Sequence, residues 1–206
     1  METTSLSRAF ASRASALLLA GMGLAACLTA GAVLPPPGAS VASADEAMEY
    51  KVKAASLYHF VNYTTWPKEA FEHESSPFVL AVVGKDPFGA VLEETMRGKK
   101  YAGREIRIVR VEALDDLPKA HLLFLAGSHA KQIGKLMVGI GGTPVLVVGD
   151  TGGLAEAGAL VNFYLEAKRT RFEVNEDAVK RSGLTINPEM LKLARLVKDH
   201  AQREQP

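Results

Sequence analysis

The chain is predicted to be an α/β protein: a single domain with a mostly parallel central sheet, a C-terminal β-hairpin and helices on both faces. Three observations support this. Continuous apolar runs recur at 78–83, 122–125 and 144–148, as strands covered on both faces require. Helical patterns fall between those runs, which is how parallel strands must be connected. Last, two polar-flanked strand patterns at 160–166 and 170–174 are separated only by Ala167-Lys168-Arg169, as in a hairpin.

Ahead of this domain lie 44 residues that read as an export signal. Arg8 and Arg13 form a positive n-region, and an Ala/Leu/Gly-rich apolar run occupies 14–34. Pro35-Pro36-Pro37-Gly38 breaks any helix, and Ala42-Ser43-Ala44 offers a small-residue cleavage site before Asp45. The expectation is therefore a signal peptide over 1–44, a domain over 45–206 and a periplasmic location. Two alternatives share the segment. The apolar run is close to the ~20 residues that span a bilayer, so it also suits an uncleaved anchor, although Gly21, Gly23 and Gly31 dilute it. Leu24-Ala25-Ala26-Cys27 has the form of a lipobox, which would leave Cys27 acylated and the protein lipid-anchored.

Cys27 is the only cysteine, so the domain over 45–206 can form no internal disulfide and offers no thiol nucleophile or thiolate metal ligand. Residues 1–44 contain Arg8, Arg13 and Glu2. Of the 24 basic and 23 acidic side chains, 22 of each therefore belong to the domain. That balance argues against nucleic acid as a partner, because phosphate contacts require a basic excess.

In chain order, Tyr50, Ala54, Leu57, Tyr58 and Val61 recur at helical spacing and predict a helix over 46–63, closed by Trp66-Pro67. After the first strand, Asp86-Pro87-Phe88 predicts a helix N-cap with proline at the first position, carrying Val91, Leu92 and Met96 inward. Alternation over 106–111 predicts a less buried strand. Ser128 is the expected N-cap of a helix over 130–140 that Gly141-Gly142 ends. After the hairpin, Asn175 is expected to cap a helix closed by Gly183. Pro188 is expected to start a final helix over 189–200.

Signals for chemistry are weak. Asp150-Thr151-Gly152 is an aspartic-protease triplet, but that chemistry needs two carboxylates and an all-β frame. Gly139-Ile140-Gly141-Gly142 closes a helix and precedes a strand, the reverse of a phosphate-binding loop. His59, His73, His121, His129 and His200 form no i, i+4 pair, and there is no G-x-S-x-G elbow. The sequence thus predicts no enzyme, no cofactor and no metal. Aromatics are densest at Tyr50, Tyr58, Phe60, Tyr63, Trp66 and Phe71. Most of these suit a core. Tyr58, Phe60 and Trp66 are the candidates for a protein-binding face, because Trp and Tyr are enriched at binding hot spots.

The stretch Lys53-Ala54-Ala55-Ser56-Leu57-Tyr58-His59-Phe60 with Trp66-Pro67 resembles the opening of YfiR-like proteins, which are exported bacterial regulators. Val82-Val83-Gly84-Lys85-Asp86-Pro87-Phe88-Gly89, Val161-Asn162-Phe163, Arg171-Phe172-Glu173-Val174-Asn175 and Gly183-Leu184-Thr185-Ile186 extend the resemblance over about 51–197. It implies a periplasmic repressor that binds the sensor domain of an inner-membrane diguanylate cyclase and lowers cyclic-di-GMP and biofilm output. A homodimer follows by the same analogy. The paired cysteines of some members have no counterpart in 45–206. The rival expectation is a periplasmic small-ligand-binding protein using loops near Asp86 and Asp150, where open α/β sheets place ligands.

Overall fold

The computed structural model describes residues 39–200, with side chains from residue 44 onward. The first helix, α1 (Ala39–Tyr63), starts earlier than its apolar periodicity suggests. It runs directly into β1 (Thr64–Thr65). Then come β2 (Phe78–Val83), α2 (Ala90–Met96), β3 (Lys100–Tyr101), β4 (Arg104–Val111) and β5 (Leu122–Leu125). A 3-10 turn over Gly127–Gln132 leads into α3 (Ile133–Ile140) and β6 (Leu146–Gly149). The chain ends with β7 (Val161–Glu166), β8 (Arg169–Asn175), α4 (Glu176–Ser182), β9 (Thr185–Ile186), α5 (Pro188–Leu193) and β10 (Arg195–Val197).

Eight strands form one sheet in the order β10-β8-β7-β6-β5-β2-β4-β3. All neighbours are parallel except β7–β8, the predicted hairpin, and the edge pair β3–β4. Every residue of β5 and β6 is buried, as is all of β2 except a half-buried Val79. That is the burial their unbroken apolar runs imply. In β4, beside the short edge strand, Ile106 and Ile108 are half-buried while Glu105, Arg107 and Arg110 face solvent.

Both faces of the sheet are covered. Phe60 of α1 packs on Phe163 and Phe172 at ring separations of 5.4 and 5.0 Å, and Phe88, just before α2, meets Phe124 at 4.7 Å. The opposite face lies under α3 and α4, where Met137, Ile140, Val145, Leu160 and Ala178 line a groove of about 690 Å³. A second small sheet pairs β1 with β9, and Asn187 N–H donates to the Tyr63 carbonyl at 2.8 Å, tying the end of α1 to the entry of α5.

Some local expectations hold and others shift. The Asn175 side chain accepts from the amides of Asp177 and Ala178, and Gly183 closes α4 at φ 69°. Asp86 instead makes a tight turn, accepting from Phe88 N–H at 2.8 Å, and α2 begins after Gly89. Ser128 does not cap α3, since the first turn is 3-10. Its hydroxyl accepts from Lys85 N–H at 3.0 Å. The last expected helix stops at Leu193, and Arg195–Val197 extends instead to pair in parallel with β8. A free strand edge with open backbone groups and a partner for Arg195 on Glu173 outweighs helix propensity there.

Candidate functional site

α1 is the element around which the candidate residues gather. Its apolar residues occupy more than one side, so no orientation buries them all. Phe60 is the inward one, sandwiched by β7 and β8. Trp66 is only 4% exposed and sits where the chain leaves α1. Its ring meets Phe78 and Tyr101 edge-on at 4.9 and 5.1 Å, and Nε1–H donates to the His121 carbonyl at 3.1 Å. Of the three predicted residues only Tyr58 reaches the surface. It is half-buried, with the Lys99 ammonium 4.2 Å from its ring centre. The structure therefore does not bring the three together on one surface. Cys27 lies outside the described residues.

His121 completes the pocket under Trp66. Its ring stacks on Phe71 at 4.4 Å and Phe78 at 5.0 Å. Val79 N–H donates to Nδ1 at 2.9 Å, so Nδ1 must carry a lone pair, and Nε2–H is left to donate to the Ala70 carbonyl at 3.2 Å. Burial, more than any neighbouring charge, pushes its pKa below the ordinary histidine value.

The outer side of α1 holds a different set. Met48 is 60% exposed, Val52 42% and Tyr63 40%, with half-buried Ala55 and exposed His59 between them. At spacings of three and four residues these form one stripe along the helix. Isolated exposed apolar groups are ordinary, but a row of them is the kind of surface that marks an interaction site.

The carboxyl ends of the parallel strands form the second candidate region. Asp150, after β6, is engaged within the domain. Its Oδ2 accepts from Lys53 Nζ at 2.8 Å and from the Tyr50 hydroxyl at 2.9 Å, and Lys53 also contacts Glu49 at 2.6 Å. Burial, and then the Asp150 charge, pushes the Tyr50 hydroxyl well above its ordinary pKa. Asp86 is engaged too, its Oδ2 accepting from Arg110 Nε at 2.6 Å, while Arg110 also reaches Glu93. Both acids named at sequence level are therefore spent on internal pairs. Beside Asp86 an open cleft of about 620 Å³ is lined by Gly84, Lys85, Arg110, Glu112, Ser128 and His129. Gly84, at φ 90°, lets the two loops close on each other: a Cβ there would lie 2.4 Å from His129 Nδ1 and 2.5 Å from Ser128 Oγ.

The pairing of Lys53 with Asp150 and Glu49 escaped the sequence reading, which named Asp150 only as a loop residue. Glu49 and Lys53 stand at i, i+4, a signal in plain view, but the partner 97 residues away is visible only in the fold. Among the described residues no group of three or more His, Cys, Asp or Glu is placed to hold a metal ion, and no helix is long and apolar enough to cross a membrane.

A covered, mostly parallel sheet with a hairpin near its end and an exposed apolar row on the first helix describes a small mixed α/β domain. The YfiR/HmsC-like family model matches residues 50–195, and the chain belongs to that family.

Proposed function

We propose that this protein is a non-enzymatic periplasmic regulator of cyclic-di-GMP signalling. It would bind the periplasmic sensor domain of an inner-membrane diguanylate cyclase, or a related sensor protein, and hold it inactive. Membership of the YfiR/HmsC-like family over residues 50–195 carries the reading. The export-type leader supports the location. The candidate contact surface is the Tyr58 side of α1, beside Lys99, with Phe60 and Trp66 acting from beneath as anchors that fix the helix. An aromatic ring with a cation over it, on a rigid helix, suits a hot spot.

The test is a crosslinked pull-down of the tagged protein from its native membranes, paired with cyclic-di-GMP measurement in a deletion strain. Recovery of one inner-membrane protein with a cytoplasmic cyclase domain, and a raised cyclic-di-GMP level on deletion, is the expected result. An unchanged level with no membrane protein recovered would refute it. The cleft at Gly84, Lys85 and His129 favours a second reading, a small polar ligand bound at the strand ends. Both hold together if the ligand binds one partner-competent state better than another. Thermal shift against a periplasmic metabolite extract tests it, and a melting temperature that never moves argues against it.

A further inference from the structure

The last long strand on one side of the sheet has an outer edge that is only partly used. Gly84 N–H donates to the Val111 carbonyl at 2.9 Å. In the parallel register of β2 on β4, Val111, Val109 and Arg107 therefore turn their backbone N–H and C=O toward β2. Ile106, Ile108 and Arg110, between them, turn theirs outward. β3 pairs with β4 only through Lys100 with Glu105 and Tyr101 with Arg104, because the chain bends in from α2 at Gly98, φ 71°. Among the described residues no strand lies beside Ile106 to Arg110 on that side. Three donors and three acceptors thus stand in a row about 13 Å long without a strand partner.

We propose that this edge receives an extended segment of another protein as an added strand, one built of apolar and acidic side chains. Beside the row lies a groove of about 440 Å³. Buried Met96 and half-buried Ile106 and Ile108 give it an apolar wall, and exposed Arg97 and Lys100 with half-buried Lys99 line it too. On the opposite face of β4, Arg107 is exposed beside half-buried Val109. An edge guarded only against aggregation needs charge of either sign. Here Arg97, Lys99, Lys100 and Arg107 face Glu93 and Glu105, and Glu93 is already bound by Arg110. The charge left over is positive. Successive side chains of an added strand fall on opposite faces. Apolar ones on the groove side cover Ile106 and Ile108. Carboxylates on the other face meet Arg107, and one at the groove's end meets Arg97 and Lys100.

A contact of this length is small, so a short peptide binds weakly and must be measured near ~1 mM. The Lys99 ammonium also lies 4.2 Å from the Tyr58 ring centre, so the edge adjoins the contact surface proposed above without resting on that reading. The test uses the purified exported protein and no membrane partner, and failure of either proposal leaves the other standing.

The probe is a capped peptide alternating valine with glutamate, added in low salt while amide hydrogen exchange is followed residue by residue. Exchange at Ile106, Ile108 and Arg110 should slow, while Arg107 and Val109, already paired with β2, should change little. A peptide with lysine in place of glutamate should bind about tenfold more weakly or worse. Ile108→Pro deletes one outward donor and leaves the β2 ladder intact, as an edge position allows, and should abolish the protection at 106 and 110. Arg97→Glu with Arg107→Glu touches no backbone group, so it carries the test even if the proline variant fails to fold. It should remove the preference for the acidic peptide. Unchanged exchange at the three outward amides, or equal binding of the two peptides, would overturn the proposal. So would effects confined to the surroundings of Tyr58, which would place the peptide on the first helix instead.

Discussion

Lys53 and Asp150 face each other at 2.8 Å, both nearly out of water, and join the first helix to the carboxyl end of the central strand β6. The Tyr50 hydroxyl donates to the same Asp150 oxygen at 2.9 Å, and Glu49 contacts Lys53 from the more exposed side. A buried ion pair contributes little against an apolar substitute, but losing one partner strands the other charge. Lys53→Met should therefore cost about 3–5 kcal/mol. Lys53→Met with Asp150→Asn should recover much of that loss. Chemical denaturation of the single and double variants checks this, and equal loss in both would show that the pairing is not what matters.

Trp66 and Tyr58 should part company on truncation. Trp66→Ala removes a buried ring and the bond to the His121 carbonyl, and should cost about 3–5 kcal/mol. Tyr58→Ala removes a half-buried ring with a lysine over it and should cost about 1 kcal/mol or less. Thermal melts of the two proteins, side by side, give the comparison. If Tyr58→Ala unfolds the domain as readily, the tyrosine is core and not a recognition residue.

Acid should loosen the domain through His121. Its folded pKa is depressed, so between that value and the ordinary 6.5 the unfolded chain binds the proton and the folded one does not. Its share of the stability is complete above pH 6.5 and is lost as the pH falls toward the lowered value. Protonation would also cancel the acceptor that Val79 N–H uses. Melting curves from pH 7.5 to 5 should show a slope that His121→Gln reduces. An unchanged slope would place the sensitivity elsewhere.

Gly84→Ala should fail for two reasons at once. The added carbon meets His129 Nδ1 at 2.4 Å, and φ 90° is a conformation few side chains tolerate. A loss of about 1–3 kcal/mol follows, along with a widened cleft, and shifted amide resonances at Ser128 and His129 report the latter. A variant as stable as the parent, with those resonances in place, would contradict this account.

The hairpin offers a change in the opposite direction. Ala167 and Lys168 carry φ of 47° and 61°, the pair of positive angles of a two-residue turn that favours Asn-Gly. Ala167→Asn with Lys168→Gly should stabilise by about 1 kcal/mol, raising Tm by about 2–4 °C. No gain in calorimetry would mean the present turn is not strained.

What could be read from the chain followed the physics of short-range pattern. The runs containing Leu80, Phe124 and Val147 are apolar throughout because both of their faces are covered, and their short length with flanking Gly and Pro favoured strands over a buried helix. Asn175 and Gly183 announced α4 because capping is a local matter. Leu191, Leu193 and Ala194 continued a helical pattern into Arg195, and only the open side of β8, far back in sequence, turned that segment into a strand. The candidate site was harder still. Aromatic density on α1 was visible, but a helix apolar on several sides does not say which side meets the sheet. Phe60 and Trp66 turned inward while Met48 and Val52 stayed out.

The pairing of β10 with β8 has a further consequence for how the protein is made. Glu173 is 2% exposed, and its carboxylate is partnered by Arg195 and by Asn162. Asp199 beyond it is held by Arg181 and Asn175. A chain cut short before Arg195 would keep nearly all its apolar core, yet leave the buried Glu173 carboxylate with Asn162 but without its cation, beside an open strand edge. The last stretch thus works as a proof of completeness, leaving unfinished copies loosened at one border and open to proteases or to aggregation.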